Sequence, residues 1–225
     1  MNLDRAWMNQ DNADFYNASG VSLLQSTAER GGMASAPDVG LIWDQIRDSK
    51  FILDVGSGYG RSVGNLIQRG YQGCIDSVER SESLYQDLRT LESDNVHTYC
   101  SDIFKYQTDQ KYDAILCMFS TITDFSKKEQ KELVQYLSKF LKDKHSKMFF
   151  EAFPAGRLPL NCSTDDGSSY QSQYESHELN GYLPSLFDFF DYAQEIGMRV
   201  KQELYLTTTG RVRAMFEVFF EKNIF

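Results

Sequence analysis

The sequence predicts an α/β protein in which helices cover both faces of one mostly parallel sheet. Over the first two thirds of the chain, short apolar runs alternate with stretches of helical length and periodicity. Parallel strands are joined by right-handed crossovers of this kind, so the alternation is typical of a parallel sheet between two helical layers. Two further strand-like runs around the turn TTTG end the chain and predict an antiparallel hairpin.

Seven strands are predicted, and most of them are apolar runs short enough to be buried on both faces of a sheet. In the last run, the apolar residues at even positions from 212 to 220 alternate with Arg213 and Glu217, as in one arm of an antiparallel hairpin. The predicted strands are 51–55, 74–78, 96–100, 112–119, 148–153, 199–206 and 212–220.

Five helices are predicted, several with recognisable start or stop signals. Ser81 suits an N-cap, and Ser126 with Glu129 has the S-x-x-E spacing of a capping box. Gly70 and Gly197 each follow a helical stretch and tolerate the left-handed backbone that ends it. The predicted helices are 39–46, 61–69, 81 to about 91, 126 to about 141, and 185–196.

The length of 225 residues predicts a single domain over 1–225. Residues 154–184 are polar, rich in Ser and Tyr, and lack clear periodicity, so we expect a long surface insertion. Residues 1–37 are a polar N-terminal segment with no apolar run and no basic leader, so we expect a cytoplasmic protein with no membrane partner.

Charge and cysteine usage exclude several classes of function. With 23 Lys and Arg against 32 Asp and Glu, the formal net charge is −9, which is unfavourable for a surface that follows a phosphate backbone. We therefore expect no nucleic-acid partner. The four cysteines are far apart and form no C-x-x-C pair, so we expect neither a disulfide framework nor a metal site.

The stretch FILDVGSGYG at 51–60 places three glycines directly behind a predicted strand and before a predicted helix. Backbone N–H groups at such a turn are left unpaired at a crevice, where they can meet a ligand that side chains would block. A tight turn without a ligand is the alternative. The dinucleotide fingerprint G-x-G-x-x-G is absent, because its third glycine falls on Arg61 or on Val63.

The residues D-V-G-S-G-Y-G at 54–60 resemble the first motif of the class I S-adenosylmethionine-dependent methyltransferases. The resemblance covers residues 38–225 without the insertion. It implies a Rossmann-like three-layer sandwich with a seven-stranded, mostly parallel sheet of order 3-2-1-4-5-7-6 and an antiparallel terminal hairpin. It also implies S-adenosylmethionine as the cofactor and S-adenosylhomocysteine as the product.

The same resemblance implies roles for residues at the ends of the predicted strands. Glu79 would accept the ribose hydroxyls, for which a carboxylate is suited, or it could be a surface residue that opens the next helix. Asp102, with its neighbour Ile103, would bind adenine, or it could be a plain helix N-cap. The residues that we expect to bind the cofactor are Asp54, Gly56, Ser57, Gly58, Gly60, Glu79, Arg80, Asp102, Ile103, Phe119 and Ser120.

Methyl transfer from a sulfonium demands few catalytic side chains, because the protein mainly aligns the reactants and excludes water. A general base is needed only where the acceptor must lose a proton. Tyr16, Glu151 and His177 are the candidate catalytic residues, and Asp124 is a further titratable group near the expected site. Each of them has a structural alternative. Tyr16 could be an aromatic anchor, and Glu151 could form an ion pair with Arg157. His177 could be an exposed loop residue, and Asp124 could cap a turn.

Motifs of nucleic-acid methyltransferases are missing after the fourth predicted strand, which reads CMFSTITDF without [DN]-P-P-[YF] or a Pro-Cys pair. With the acidic balance, this favours a small-molecule acceptor and a protein that is a monomer or homodimer. We expect residues 1–37 to form a cap and residues 154–184, with Tyr170 and Tyr174, to lie over the substrate site. Cyclisation or lyase chemistry that releases methylthioadenosine, a protein acceptor, and a non-catalytic binding protein stay open as alternatives.

Overall fold

A seven-stranded sheet forms the centre of the computed structural model, which describes residues 3–154 and 168–221, with side chains from residue 12 onwards. The strand order is β3-β2-β1-β4-β5-β9-β8, in which only β9 runs against its neighbours. Because β6 and β7 lie outside this sheet, it is the predicted order 3-2-1-4-5-7-6. The strands are β1 (Phe51–Val55), β2 (Cys74–Glu79), β3 (Val96–Cys100), β4 (Ala114–Cys117), β5 (Lys147–Ala152), β6 (Ser169–Tyr174), β7 (His177–Tyr182), β8 (Arg199–Leu206) and β9 (Val212–Phe219).

Helices pack on both faces of the sheet and give the predicted three-layer α/β class. Side chains such as Ile42 and Leu66 belong to a buried cluster on one face, while Leu133 and Phe189 belong to the cluster on the other. The helices are α1 (Leu3–Gly31), α2 (Pro37–Ile46), α3 (Arg61–Gln68), α4 (Glu82–Leu88), α5 (Lys127–Ser138) and α6 (Leu186–Glu195). Among the described residues, we find no helix with the length and apolar character needed to cross a bilayer.

The predicted helix signals are present as hydrogen bonds. The hydroxyl of Ser81 accepts from the backbone N–H of Leu84, and Ser126 with Glu129 forms a complete capping box. Gly70 and Gly197 both have the left-handed backbone that was expected at the ends of helices. These local rules therefore place several helix boundaries correctly.

The last strand forms the predicted antiparallel hairpin with β8, and its alternating polar side chains are buried. β9 lies between β5 and β8 in the sheet, and its consecutive residues are buried, so both of its faces are covered. Arg213 and Glu217 are buried, with exposed fractions of 2% and 4%. Each is paired, Arg213 with Glu151 and Glu217 with two lysines, as buried charges must be.

Part of the expected insertion is an ordered hairpin at residues 169–182, which the sequence pattern did not predict. β6 and β7 pair antiparallel, and Tyr170, Leu179 and Leu183 form a small buried cluster with Phe15 of α1. Only a few positions of the hairpin are buried, which is why its sequence reads as polar. Residues 155–167, which include Arg157 and Cys162, lie outside the described residues.

The N-terminal segment is a long helix that packs against the hairpin and α4. α1 is interrupted at Gly20, whose φ of 61° and ψ of −172° are not helical. This conformation is essentially restricted to glycine. The interruption therefore divides α1 into two helical parts that meet at residue 20.

Candidate functional site

A crevice opens at the carboxyl ends of β1, β2 and β4, with α1 on its other side. About 880 Å³ of empty space lies within it, and part of this space is open to solvent. Ligands of open α/β sheets bind at this edge. The residues that line it are Tyr16, Leu24, Asp54, Val55, Gly56, Ser57, Gly58, Tyr59, Arg61, Ser62, Val78, Glu79, Arg80, Leu84, Ser101, Ile103, Met118, Phe119, Thr121, Asp124 and Phe125.

The three motif glycines all have a left-handed backbone, but they are required for different reasons. A Cβ on Gly56 would come within 2.3 Å of Thr121, and one on Gly60 within 2.5 Å of Leu91. A Cβ on Gly58 would meet only Leu24, 4.0 Å away, which itself lines the crevice. Two glycines thus allow close packing within the fold, whereas Gly58 keeps the crevice open to a ligand.

The carboxylate of Glu79 is held against the glycine turn. Its Oε2 accepts a hydrogen bond from the Gly58 N–H at 2.8 Å, and its Oε1 accepts one from the Ser81 N–H at 2.7 Å. Burial raises the pKa of Glu79, and the two backbone donors oppose that rise. Each carboxylate oxygen has a second lone pair, so the group is fixed in orientation and still able to accept from a ligand.

Asp54 is a buried acid at the base of the crevice. Its Oδ2 accepts no hydrogen bond from any described residue, although the side chain is only 1% exposed. Desolvation by burial raises its pKa to about 7, and the positive charge of Arg61 opposes that rise. An unpaired buried carboxylate is costly, so a cationic or hydrogen-bond-donating ligand would stabilise it.

Asp102 and Ile103 follow β3 and differ in their position relative to the crevice. Ile103 lines it, together with Ser101. The Asp102 carboxylate accepts from the Phe104 N–H at 2.8 Å and caps the short 3₁₀ helix at Ile103–Lys105. Asp102 is not among the described lining residues, and its observed contact is the N-cap that was the alternative for it.

The turn after β4 places Phe119 in the wall of the crevice. The guanidinium of Arg61 lies 4.8 Å from the centre of the Phe119 ring, a cation–π distance. Arg61 is itself buried and makes two hydrogen bonds to Asp38, at 2.8 and 2.5 Å. Ser120 follows Phe119 but does not reach the lining as the structure describes it, and the same holds for Gly60.

Tyr16 and Asp124 form a hydrogen-bonded pair in the wall of the crevice. The Tyr16 hydroxyl donates to Oδ2 of Asp124 at 2.7 Å, and Tyr170 from the hairpin donates to Oδ1 at 3.3 Å. Burial raises the pKa of Asp124 to about 6, while both hydrogen bonds oppose that rise. The pKa of Tyr16 is well above its ordinary value, first because of burial and then because of Asp124. Near neutral pH, Asp124 is therefore an ionised acceptor and Tyr16 a neutral donor.

The other two candidate catalytic residues lie elsewhere. Glu151 is fully buried and paired with Arg213, and it is not among the described lining residues. His177 begins β7, is half-buried, and is likewise not brought to the crevice. Of the three candidates, the structure therefore places only Tyr16 in the crevice wall.

Several residues of the site were not found from the sequence. Arg61 and Ser62 directly follow the glycine motif, so their proximity was available from the spacing. Leu24 and Thr121 carried no signal, because their position depends on how α1 and the turn after β4 pack. We find no cluster of His, Cys, Asp or Glu suited to a metal ion in the part of the chain that the structure describes.

Residues 52–144 match a family model described as a methyltransferase domain. This segment contains β1 to β4 and the glycine turn, so it includes most of the crevice. The resemblance that the motif suggested is therefore confirmed for this part of the chain.

Two plant enzymes are similar in sequence. Pavine N-methyltransferase of Thalictrum flavum subsp. glaucum is 29% identical over 144 residues, which are 53% of this chain and 40% of that protein. (S)-Tetrahydroprotoberberine N-methyltransferase of Eschscholzia californica is 32% identical over 77 residues, which are 32% of this chain and 22% of that protein. The chain thus spans less than half the length of the curated relatives that it matches.

The fold is shared with solved methyltransferase structures. The 1,6-didemethyltoxoflavin-N1-methyltransferase of Burkholderia thailandensis, with bound 1,6-didemethyltoxoflavin and S-adenosylhomocysteine, superimposes with a TM-score of 0.72. The match covers 99% of this chain and 92% of that one at 9% sequence identity. At this identity the likeness establishes the fold.

Proposed function

We propose that this chain is an S-adenosylmethionine-dependent enzyme that methylates a small-molecule acceptor, because residues 52–144 match a methyltransferase domain model. The observation that carries the proposal is the unpaired buried oxygen of Asp54 beside the open glycine turn and the fixed carboxylate of Glu79. These three features suit a ligand with a cationic group, a diol and a slender chain between them.

The residues of the crevice fit S-adenosylmethionine, which supplies an activated methyl group when it is bound. Glu79 would accept from the ribose hydroxyls, and Asp54 would accept from the ammonium group of the methionine part. Gly58 leaves room for the ligand next to the backbone. Ile103 and Phe125 would supply apolar contacts for the adenine.

On the acceptor side, Asp124 is the group that we propose takes a proton. It lines the crevice, Tyr16 and Tyr170 fix its two oxygens, and its pKa of about 6 leaves it ionised at neutral pH. A carboxylate in this state would bind an acceptor amine as its ammonium ion and accept the proton that must leave before attack. Both plant relatives are named as N-methyltransferases, which supports an amine as the acceptor.

We also propose that two segments close over the acceptor. One is the cap at 1–37, which contains α1, and the other is the insertion at 154–184, which contains the hairpin β6–β7. Tyr16 reaches the crevice from α1, and Tyr170 reaches Asp124 from the hairpin. The acidic net charge of −9 supports an acceptor that is not a nucleic acid. A cytoplasmic location and a monomeric or homodimeric state complete the proposal.

The test has two parts. Calorimetric titration with S-adenosylhomocysteine should show binding to one site per chain, and absence of binding would refute the cofactor assignment. Incubation with S-adenosylmethionine and a panel of small amines should then release S-adenosylhomocysteine. Release of methylthioadenosine alone would instead establish cyclisation or lyase chemistry, and methylation only of added protein would establish a protein acceptor.

A further inference from the structure

Two consecutive residues with a Cβ adopt a left-handed backbone in the turn after β4, and the first of them lines the crevice. Phe119 has a φ of 53° and Ser120 a φ of 68°. Side chains with a Cβ disfavour this region, and such a conformation persists only where the surrounding structure holds it. The turn after β4 must therefore be stabilised by contacts from outside itself.

Those contacts come from a buried ion pair on the next two strands of the sheet, Glu151 on β5 and Arg213 on β9. The N–H of Ser120 donates to Oε2 of Glu151 at 3.1 Å and to the Glu151 carbonyl at 3.1 Å. Nη2 of Arg213 donates to the Ser120 hydroxyl at 2.5 Å and to Oε2 of Glu151 at 2.7 Å. Glu151 and Arg213 thus hold both the backbone and the side chain of Ser120.

The pair is itself fixed on every side. Nε of Arg213 donates to Oε1 of Glu151 at 2.5 Å, and the Tyr205 hydroxyl donates to the same oxygen at 3.1 Å. The guanidinium of Arg213 lies 3.7 Å from the centre of the Phe153 ring. Exposed fractions are 0% for Glu151 and 2% for Arg213. With these partners, Glu151 has no open path to a substrate proton.

A buried ion pair is not explained by stability alone. Desolvation of the two charges offsets much of their attraction, and well-packed apolar side chains of similar volume are often as stable. What apolar side chains could not do is bind the N–H and hydroxyl of Ser120. The specific contribution of Glu151 and Arg213 is therefore the geometry of this turn.

We propose that Glu151 and Arg213 are positioning residues that hold the strained turn at Phe119 and Ser120, so that Phe119 keeps its place in the cofactor-binding wall. The inference rests on the proposed function of the crevice, because it assigns the pair to ligand binding. In this proposal, Glu151 acts on the site by holding Ser120 and does not act as a general base.

The double variant Glu151→Leu with Arg213→Met tests this, because it removes the side-chain hydrogen bonds to Ser120 without leaving a buried charge unpaired. We expect a folded protein that binds S-adenosylhomocysteine about tenfold more weakly. Hydrogen exchange of the amides at 118–123 should become faster in the ligand-free protein. Glu217→Leu is the matched control, because Glu217 is a buried, ion-paired carboxylate on β9 whose partners are Lys147 and Lys201. This variant should bind S-adenosylhomocysteine as tightly as the wild type and show the same hydrogen exchange at the turn.

A glycine at position 120 supplies the critical rescue. Glycine adopts the left-handed backbone without steric cost, so Ser120→Gly in the double variant should restore most of the lost affinity. A folded double variant with wild-type affinity and wild-type exchange would overturn the proposal, and so would failure of the rescue. If the double variant does not fold, the single variant Arg213→Lys replaces it, because lysine keeps the charge but lacks the planar guanidinium. The affinity for S-adenosylhomocysteine and the hydrogen exchange of the turn then test the proposal in the same way. If the wild type itself binds no S-adenosylhomocysteine, the proposed function fails, while hydrogen exchange of the turn still decides whether the pair holds it.

Discussion

At the scale of single residues, the crevice contains three acidic side chains whose surroundings differ. Glu79 is oriented by two backbone donors, Asp54 has an unpaired buried oxygen, and Asp124 is held by two tyrosine hydroxyls. Burial raises the pKa of all three, but the opposing hydrogen bonds differ. Titratable groups with such distinct environments are typical of functional sites.

Gly58 and Glu79 should each be required for binding. Gly58→Val places a side chain in the crevice and Glu79→Ala removes the diol acceptor, so each should weaken S-adenosylhomocysteine binding by about 1–3 kcal/mol or more in calorimetry. Gly70→Val is the control, because Gly70 has a similar left-handed backbone with open space around it but lies away from the crevice. It should lower the melting temperature and leave affinity unchanged. Wild-type affinity in both crevice variants would remove the site assignment.

Asp124 should determine the pH dependence of the reaction. A base must be deprotonated to act, so kcat/KM should rise with pH through about 6 and then level off. Asp124→Asn should lower kcat/KM by about a hundredfold and abolish this rise. Because the Tyr16 hydroxyl opposes the raised pKa, Tyr16→Phe should move the rise to higher pH. An unchanged pH profile in both variants would exclude this role.

Asp54 should make the folded protein less stable as the pH rises. Its pKa is raised from the ordinary value of 3.8 to about 7 on folding. The folded state therefore binds the proton more tightly, and the stability from this group is fully present below the unfolded pKa and lost as the pH passes through about 7. In denaturant titrations without ligand, Asp54→Asn should reduce the loss of stability between pH 5 and pH 8. A loss identical to that of the wild type would contradict the raised pKa.

At the scale of elements, the geometry of α1 depends on the backbone conformation of one residue, Gly20. Gly20 separates the part of the helix that carries Tyr16 from the part that carries Leu24, and both side chains line the crevice. The hairpin is tied to the same helix, since the Asn12 side chain donates to the carbonyl oxygens of Asp124 and Asn180. α1, the hairpin and the turn after β4 therefore meet at Asp124.

Gly20→Ala should disturb this arrangement. The mirror-image φ and ψ of Gly20 are strained for a residue with a Cβ, at a cost of about 1–3 kcal/mol, so the helix would straighten and displace Tyr16 or Leu24. We expect weaker S-adenosylhomocysteine binding and a lower kcat. Gly64→Ala within α3 is the control, because a Cβ there meets nothing within 4 Å and its backbone is helical. It should leave both quantities unchanged, and equal effects of the two substitutions would contradict a special role for Gly20.

At the scale of the whole molecule, the three-layer sandwich supports the crevice, and α1 and the hairpin β6–β7 cover part of it. The sheet and the helices on its two faces hold the strand ends in place, while α1 and the hairpin contact Asp124 in the wall of the crevice. Buried clusters on both faces of the sheet are much larger than the cluster under the hairpin. Local opening is thus expected first in the covering elements.

Limited proteolysis should detect closure of these elements. With S-adenosylhomocysteine bound, cleavage within residues 7–30 and 154–184 should slow relative to the ligand-free protein, because the ligand stabilises the closed arrangement. Cleavage in the exposed turn at 142–145, which precedes β5 and so lies at the opposite ends of the strands from the crevice, serves as the internal reference. Equal cleavage rates at all sites with and without ligand would count against a lid.

Local signals were sufficient for much of the fold. The helix caps at Ser81 and Ser126 and the glycine turn were predicted from residues that are close in sequence, whereas the order of the strands came from the resemblance to the methyltransferase family. The hairpin at 169–182 was missed, since only a few of its positions are buried and its pairing partner α1 is far away in the chain. The burial of Arg213 was not predicted either, because strand alternation does not reveal that a strand is covered on both sides.

By itself, the sequence determined the α/β class, the glycine turn and the acid that ends β2, because short-range periodicity, backbone freedom and strand termini are encoded within a few residues. Only the tertiary structure decided which distant side chains meet: Tyr16 with Asp124, Arg61 with Asp38, and Glu151 with Arg213 and Ser120. These contacts join residues that are 23 to 108 positions apart in the chain. Their formation depends on the packing of whole elements, which a local pattern does not specify.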